Sequence, residues 1–213
     1  MTTDYALTVP YIALWSAEQD LAPRRWVRRG EDGERLGYVD ETLYDRDRFG
    51  ALWARWSSAR GKGRPQLQDV HPFRQRRAVL QELCQVCGKP ALAAGRYLYL
   101  FTKASAPIYE GRLTSTPPIC TTCAPTVVEE CPHLQRGYVA VWAERAPLWG
   151  VQGIRYHPRT RLPRPEDDGE FVSVEYGAAP ELPWIVAYRQ VVSLHGLTPV
   201  TDIAAVSTAE SLP

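Results

Sequence analysis

Four cysteines in two Cys-x-x-Cys pairs constrain this chain more than any other feature of its sequence. The first pair is Cys84 and Cys87, the second is Cys120 and Cys123, and 32 residues separate the pairs. Two cysteines at this spacing can present both sulfurs from one tight turn, and Gly88, directly after the first pair, suits such a turn. Two such turns supply the four thiolates that zinc takes in tetrahedral geometry. The spacing therefore predicts one structural Zn²⁺ ion bound by Cys84, Cys87, Cys120 and Cys123.

Other roles for these cysteines fit the sequence less well. An iron–sulfur cluster also accepts four cysteines, but the common ferredoxin spacings are absent. A redox-active Cys-x-x-Cys normally works alone beside a βαβ pattern, which we do not find. The total of five cysteines is odd, and this argues against a framework of disulfide bonds.

Cys131 and His133 follow the second pair in the segment Cys131-Pro132-His133. Either residue could replace a zinc ligand or belong to a second site. Neither has an obvious further partner, because the remaining histidines are scattered along the chain. The pattern favours Cys131 as a small buried apolar residue and His133 as a polar neighbour.

The order of these motifs resembles a treble clef or zinc ribbon over about residues 80–135. Such a module has a cysteine knuckle, then a β-hairpin, and then a second pair of cysteines at the start of a short helix. More broadly, the chain resembles the uncharacterised zinc-binding proteins of GC-rich bacteria, which indicates a bacterial or phage origin. The resemblance implies a metal site and carries no activity with it.

The sequence gives no indication of a membrane or secreted protein. No segment approaches the ~18 consecutive apolar residues that a membrane span requires. The apolar run at 6–15 follows Asp4 instead of a basic segment and lacks a small-residue cleavage site, so we expect a strand there and not a signal peptide. We therefore expect a cytoplasmic protein, in which thiols stay reduced.

Charge is distributed unevenly although the whole chain carries only +1. Residues 51–90 contain eight basic residues against Asp69 and Glu82, a net charge of +6 that leads directly into the first cysteine pair. The sequence therefore predicts a partner that is either a nucleic acid or a protein with an acidic surface. The preference for arginine is also typical of a GC-rich genome, and the glycine-spaced loop 60–65 could be an ordinary exposed loop. The predicted partner-binding residues are Arg60, Lys62, Arg64, Arg74, Arg76 and Arg77.

Four segments have the pattern of short helices: 49–59, 72–83, 124–130 and 183–195. In the helix at 72–83, which Asp69 or His71 could cap, we expect a buried stripe of Phe73, Leu80 and Leu83. The arginines would then point mostly outward. The acidic stretch 40–47 has no EF-hand spacing, so we expect a solvated face there.

The predicted fold class is α+β, mostly antiparallel β with three to four short helices and a treble-clef-like zinc site. We expect a β-rich N-terminal and linker segment at 1–70, a zinc-binding module at 71–135 and a β-rich C-terminal segment with one helix at 136–213, packed as one unit. The hairpin of the zinc module is expected to pair 96–102 with 108–113. The other predicted strands are 7–15, 26–29, 36–39, 138–142, 149–156, 170–176 and 200–206.

These features favour a zinc-stabilised binding or adaptor protein without catalytic activity. Four thiolates fill the zinc shell and leave no open position for catalysis. The sequence contains none of the common catalytic motifs of metalloproteases, hydrolases, dinucleotide-binding enzymes or deaminases.

The alternative is a nuclease of the HNH kind, or a degenerate relative of one, which is also built on a treble clef. There a histidine on the hairpin activates water, but no histidine lies between Cys87 and Cys120. Glu110 lies in that interval and cannot be equated with the missing base. A third possibility is an active site around His157, Glu175 or His195. Nothing in the spacing of these residues favours it over a chance distribution.

Overall fold

The computed structural model describes residues 8–21, 25–30, 33–178 and 180–206. No helix in this part of the chain is long and apolar enough to cross a membrane. The described part of the chain contains four α-helices: α1 (Pro72–Leu80), α2 (Cys123–Glu130), α3 (Pro132–Gln135) and α4 (Ile203–Val206). Its strands are β1 (Ala13–Trp15), β2 (Arg25–Gly30), β3 (Gly33–Tyr38), β4 (Leu52–Trp53), β5 (Pro65–Val70), β6 (Leu92–Ala93), β7 (Arg96–Thr102), β8 (Arg112–Thr114), β9 (Tyr138–Ala143), β10 (Leu148–Arg155), β11 (Val172–Glu175), β12 (Ile185–Leu194) and β13 (Thr198–Val200).

The predicted fold class is confirmed at this level, because the chain is α+β with mostly antiparallel strands and a cluster of four cysteines. The chain forms two compact units. The first unit contains the described parts of Met1–Leu14, Pro65–Pro147 and Ser193–Pro213, and the second contains those of Trp15–Arg64 and Leu148–Val192. The division into segments 1–70, 71–135 and 136–213 stays a prediction.

The first unit is built on a four-stranded antiparallel sheet in the order β13-β9-β7-β6. Leu98 and Leu100 of β7 lie opposite Trp142 and Ala140 of β9, and they face a core that also contains Ile119. Helices α2, α3 and α4 contribute Ala124, Leu134, Ile203 and Val206 to this core. The buried Cys84 belongs to the same core, so the first cysteine pair is attached to a continuous apolar cluster.

The second unit contains a sheet in the order β11-β10-β12-β4, in which β4 is parallel to β12 and the other pairs are antiparallel. The β2–β3 hairpin also belongs to this unit. Strand β10 passes very close to its neighbours at two glycines. A Cβ atom added at Gly150 would lie 2.1 Å from the carbonyl oxygen of Val174. A Cβ atom added at Gly153 would lie 2.0 Å from the carbonyl oxygen of Val186. Only glycine allows this close approach of backbones.

Several predicted elements are present in the structure. Strand β7 has the predicted bounds, and β2, β3, β9, β10 and β11 lie within a few residues of theirs. Helix α2 begins one residue earlier than expected, at Cys123. In the N-terminal run, β1 covers only Ala13–Trp15, and Leu7 lies outside the described residues.

The helix predicted at 49–59 is wrong, because this segment contains strand β4. Ala51 and Trp53 pack in one core cluster, whereas Leu52 and Ala54 pack in another. Side chains of a strand alternate between its two faces, so a strand buried on both faces is apolar at every position. Such a run can match helical spacing by chance.

The helix predicted at 183–195 is wrong for the same reason, because this segment forms β12. Val186 lies in one core cluster, and Ile185 and Ala187 lie in the other. β12 is a central strand, since it pairs with β10 on one edge and β4 on the other. β12 is rich in β-branched residues, as strands typically are, and this composition was a better indicator of its structure than the helical spacing.

Helix α1 is present, but the face predicted to be buried is wrong. Phe73 is 39% exposed and Leu80 is 46% exposed, whereas Ala78 and Val79 are buried. Arg74 is also buried, and its Nη2 donates to the carbonyl oxygen of Ala13 at 2.6 Å. The helix is rotated so that its small residues and this hydrogen bond face inward. His71 occupies the N-cap position without a capping hydrogen bond from its side chain.

Two further expectations near the sheet of the first unit are wrong. Strand β7 pairs with β6 and β9 and not with the segment 108–113. The segment 200–206 is not a strand, because β13 ends at Val200 and α4 follows. Asp202 accepts hydrogen bonds from the N–H groups of Ala204 and Ala205, and so caps that helix.

Candidate metal centre

The first cysteine pair lies on a tight turn between α1 and β6. The N–H of Cys84 donates to the carbonyl of Lys89 at 2.7 Å, and the N–H of Gly88 donates to the carbonyl of Cys84 at 2.9 Å. Gly88 has a φ of +72°, which only glycine adopts readily. The N–H of Val86 also points at the sulfur of Cys84, 3.4 Å away. These bonds direct both sulfurs of the pair to one side of the turn.

The second pair is presented by the start of α2. The N–H groups of Cys123 and Ala124 both donate to the carbonyl of Cys120, each at 3.1 Å. Cys123 is the first residue of the helix. Immediately before the pair, the N–H of Ile119 donates to the carbonyl of Leu98 in β7 at 2.9 Å, which fixes this turn to the sheet.

The four sulfurs of the two pairs meet at one point. The ligand atoms of Cys84, Cys87, Cys120 and Cys123 all lie within 4.8 Å of one another. The sulfurs of Cys87 and Cys120 are 3.8 Å apart. Four sulfurs placed tetrahedrally about 2.3 Å from one metal ion lie about 3.8 Å from one another. A disulfide bond requires a sulfur–sulfur distance of about 2.05 Å. The four cysteines are therefore positioned to bind one metal ion.

Backbone hydrogen bonds hold the first turn against the second pair and against the N-terminal segment. The N–H of Gln85 donates to the carbonyl of Pro118 at 2.9 Å. The N–H of Tyr11 donates to the carbonyl of Val86 at 2.8 Å, and its ring covers Gly88 so closely that a Cβ there would lie 2.9 Å from a ring carbon. No pattern in the sequence pointed to this contact, because Tyr11 belongs to a run that reads only as a strand.

The thiols differ in exposure and in acidity. Cys84 is fully buried and Cys87 is exposed, while Cys120 and Cys123 are half-buried. Burial raises the pKa of the Cys84 thiol to about 11, and burial with the nearby thiol of Cys120 also raises the pKa of Cys123. At Cys87 burial acts to raise the pKa, but the N–H of Lys89 and hydrogen bonds from the other thiols lower it overall. A divalent cation would stabilise all four thiolates, so binding would release protons.

Cys131 and His133 lie outside this group of four. Cys131 separates α2 from α3, and its carbonyl accepts hydrogen bonds from the N–H groups of Leu134 and Gln135. Its side chain packs against the core of the first unit, whereas His133 is exposed. Within the described residues, the only group of at least three potential metal ligands in close range is the four cysteines.

The six basic residues predicted to bind a partner have different surroundings. Arg60, Lys62 and Arg64 are exposed and belong to the second unit. Arg77 of the first unit is exposed and donates to the side chain of Gln81, and Arg76 is half-buried. The buried guanidinium of Arg74 is used within the fold, so Arg74 does not extend an exposed basic surface. The binding role of the other five stays a prediction.

No family model, no curated protein and no solved structure matched this chain. Its class therefore rests on the architecture and the site. The protein is an α+β protein with a four-cysteine metal-binding centre in its first unit.

Proposed function

We propose that the centre binds Zn²⁺ as a structural ion and that the protein is a non-catalytic binding protein. The convergence of the four sulfurs, with Cys87 and Cys120 one tetrahedral edge apart, is the observation that carries this proposal. Four-sulfur tetrahedral sites take zinc or iron, and zinc is the usual ion where the site only stabilises a fold. Three of the four cysteines, Cys84, Cys120 and Cys123, also pack in or against the core of the first unit, where a bound ion would stabilise folding.

We also propose that the centre is of the treble-clef type. The support is the order of its parts: the turn at Cys84 and Cys87, the hairpin of β6 and β7, and the pair Cys120 and Cys123 at the start of α2. This hairpin differs from the one expected from sequence, although it occupies the same place in the order.

A structural role is supported by the composition of the site. All four ligands are thiolates, and the group contains no histidine or carboxylate. Catalytic zinc sites keep one position open for water or substrate, which four protein ligands would fill. The nuclease alternative has less support, because the β6–β7 hairpin between Leu92 and Thr102 contains no histidine, aspartate or glutamate.

We propose that the exposed basic loop Arg60, Lys62 and Arg64 contacts an anionic partner, a nucleic acid or an acidic protein surface. Arginine and lysine on a glycine-spaced loop can follow a phosphate backbone or meet carboxylates. Such contacts give affinity that depends on salt and not on base sequence.

Metal analysis of the purified, untagged protein tests the ion. The proposal expects one zinc per chain, released when the thiols are modified with a mercurial. Iron in place of zinc, or no metal at all, would contradict it.

Electrophoretic mobility at low salt tests the partner, with a DNA duplex and an RNA hairpin as probes. Replacing Arg60, Lys62 and Arg64 by alanine should abolish the shift. As a control, the same replacement of three other exposed basic residues should leave most of the shift in place: Lys103, Arg136 and Arg159. The slope of log affinity against log salt should fall by about 1 for each phosphate interaction that a substitution removes. If the wild-type protein shifts neither probe, or if poly-L-glutamate displaces both at equal charge, the partner is not a nucleic acid.

A further inference from the structure

The four cysteines of the metal centre differ in how easily a small molecule reaches them. Cys84 is fully buried in the core of the first unit, and Cys120 and Cys123 are half-buried and pack against that core. Cys87 is the most exposed of the four and is not part of the core cluster. A reagent that approaches from solvent therefore has its easiest access to Cys87.

Metal binding would keep this exposed sulfur in its reactive form. All four cysteines of a zinc site are thiolates. Peroxides oxidise the thiolate and not the thiol, and the susceptibility of a cysteine rises with its exposure. Cys131, the fifth cysteine, is half-buried against the core and lies outside the centre. Of the five cysteines, Cys87 is therefore the one that combines exposure with thiolate character.

A second sulfur lies close enough to complete an oxidation that begins at Cys87. The sulfur of Cys120 is 3.8 Å away, so the two sulfurs would have to approach by about 1.8 Å to reach the disulfide distance of about 2.05 Å. The turns that carry them are already held together, because the N–H of Gln85 donates to the carbonyl of Pro118 at 2.9 Å. This is the arrangement of a peroxide-sensitive cysteine and its resolving partner.

The sulfur of Cys84 is less suited to act as that partner. It lies in the apolar core, and the N–H of Val86 points at it from 3.4 Å. A hydrogen bond to a thiolate stabilises the charge on sulfur and so lowers its nucleophilicity. Cys120 is half-buried and therefore closer to the solvent side on which Cys87 reacts.

We infer that Cys87 is a site of oxidation by peroxides and that its oxidation ends in a disulfide between Cys87 and Cys120, with loss of the metal ion. This inference rests on the proposed zinc site and assigns a chemical signal to it. The thiolates are at once the ligands of the ion and the reductant for peroxide, so one reaction removes two ligands.

The reaction has two steps. The thiolate of Cys87 attacks one oxygen of hydrogen peroxide, the O–O bond breaks and a hydroxide leaves, which gives a sulfenic acid at Cys87. The thiolate of Cys120 then attacks the sulfur of Cys87, the S–O bond breaks and a second hydroxide leaves. The two sulfurs lose two electrons and the peroxide gains them, since zinc has no redox chemistry. Only Cys84 and Cys123 remain as thiolates, whereas a structural zinc site needs four ligands.

Treatment of the purified full chain with hydrogen peroxide tests the inference. Zinc content is measured first, because a chain without zinc contradicts the proposed function. A zinc-loaded chain that fails the later steps contradicts the inference alone. A chromogenic chelator then follows the release of zinc, dimedone traps sulfenic acid, and peptide mapping without reduction locates the disulfide. We expect release of one zinc per chain, a dimedone adduct on Cys87 and a Cys87–Cys120 disulfide. Dithiothreitol with added zinc should restore the metal-bound protein.

A conservative variant separates oxidation from ligand loss. Cys87→His keeps four ligands of a kind that zinc accepts but removes the oxidisable sulfur, so zinc release by peroxide should slow by at least about tenfold. Cys131→Ser should release zinc at the wild-type rate. If Cys87→His does not hold zinc, the mapping in the wild type decides. A first sulfenic acid on another cysteine, a disulfide within either Cys-x-x-Cys pair or between two chains, or retention of zinc under peroxide would each overturn the inference.

Discussion

The sulfur of Cys87, at the exposed end of the first turn, lies 3.8 Å from the sulfur of Cys120, 33 positions later in the chain. This distance brings together the turn after α1 and the start of α2, with the β6–β7 hairpin between them. Since the other cysteines of the site, Cys84, Cys120 and Cys123, pack in or against the core of the first unit, occupancy of the site and stability of that unit should be coupled.

Cys87→Ser should destabilise the protein far more than its exposure suggests. A substitution at an exposed position usually changes the free energy of unfolding by about 0.5 kcal/mol or less. Loss of one of four thiolates should lower it by at least about 2 kcal/mol and reduce the zinc content. Urea denaturation and metal analysis check this, with Cys131→Ser as a control that should retain the metal. Equal midpoints for Cys87→Ser and wild type would contradict a structural ion.

Gly88→Ala should destabilise the first unit by two separate effects. Its positive φ should contribute about 1 kcal/mol of strain, and the new methyl group would lie 2.9 Å from the ring of Tyr11, adding about 1–3 kcal/mol. Gly95→Ala is the matched control, because Gly95 has a φ of +78° with nothing within 4 Å of the added Cβ. The difference between their urea midpoints isolates the Tyr11 contact. If the two variants were equally destabilised, the ring would not pack on the turn as described.

Gly153→Ala should destabilise the second unit strongly. Its methyl group would lie 2.0 Å from the carbonyl oxygen of Val186 in β12, so the β10–β12 pairing would have to separate locally. We expect a loss of at least about 2 kcal/mol in the free energy of unfolding. Gly177→Ala, where the added Cβ meets nothing within 4 Å, should change it by less than about 1 kcal/mol. Thermal unfolding monitored by circular dichroism distinguishes the two.

Asp45→Asn should lower stability more at neutral pH than at low pH. The hydrogen bonds from Arg55 hold the pKa of Asp45 down to about 2, below its ordinary value of 3.8. Because the folded-state pKa is the lower one, the ion pair stabilises the fold above about pH 4 and loses its effect as the pH falls towards 2. The variant should therefore lose about 2 kcal/mol at pH 7.

Urea midpoints of wild type and Asp45→Asn, measured from about pH 7 down to about pH 2.5, test this linkage. The gap between the two proteins should narrow as the solution becomes more acidic, and loss of metal affects both proteins equally. Asp168→Asn, in an exposed loop of the same unit, is measured beside it as the control. A gap that stays constant across this range would rule out the ion pair as its source.

Local signals in the sequence were sufficient for the site and for several of the strands. The pair spacing predicted the convergence of Cys84, Cys87, Cys120 and Cys123, because each pair is a local motif and one ion requires four ligands. Strand β7 was predicted with its observed bounds. The identity of the ion and of the partner stay proposals.

The sequence alone determined that four thiols would meet, since this follows from short-range spacing and coordination chemistry. Only the tertiary structure decided what surrounds them and how the buried segments fold. β4 and β12 are apolar on both faces, so their own periodicity could not separate strand from helix, and pairing with distant strands decided it. The same holds for Arg74, which was expected to point outward from α1: which side chain is buried depends on the elements that pack against it, and a local pattern does not encode those contacts.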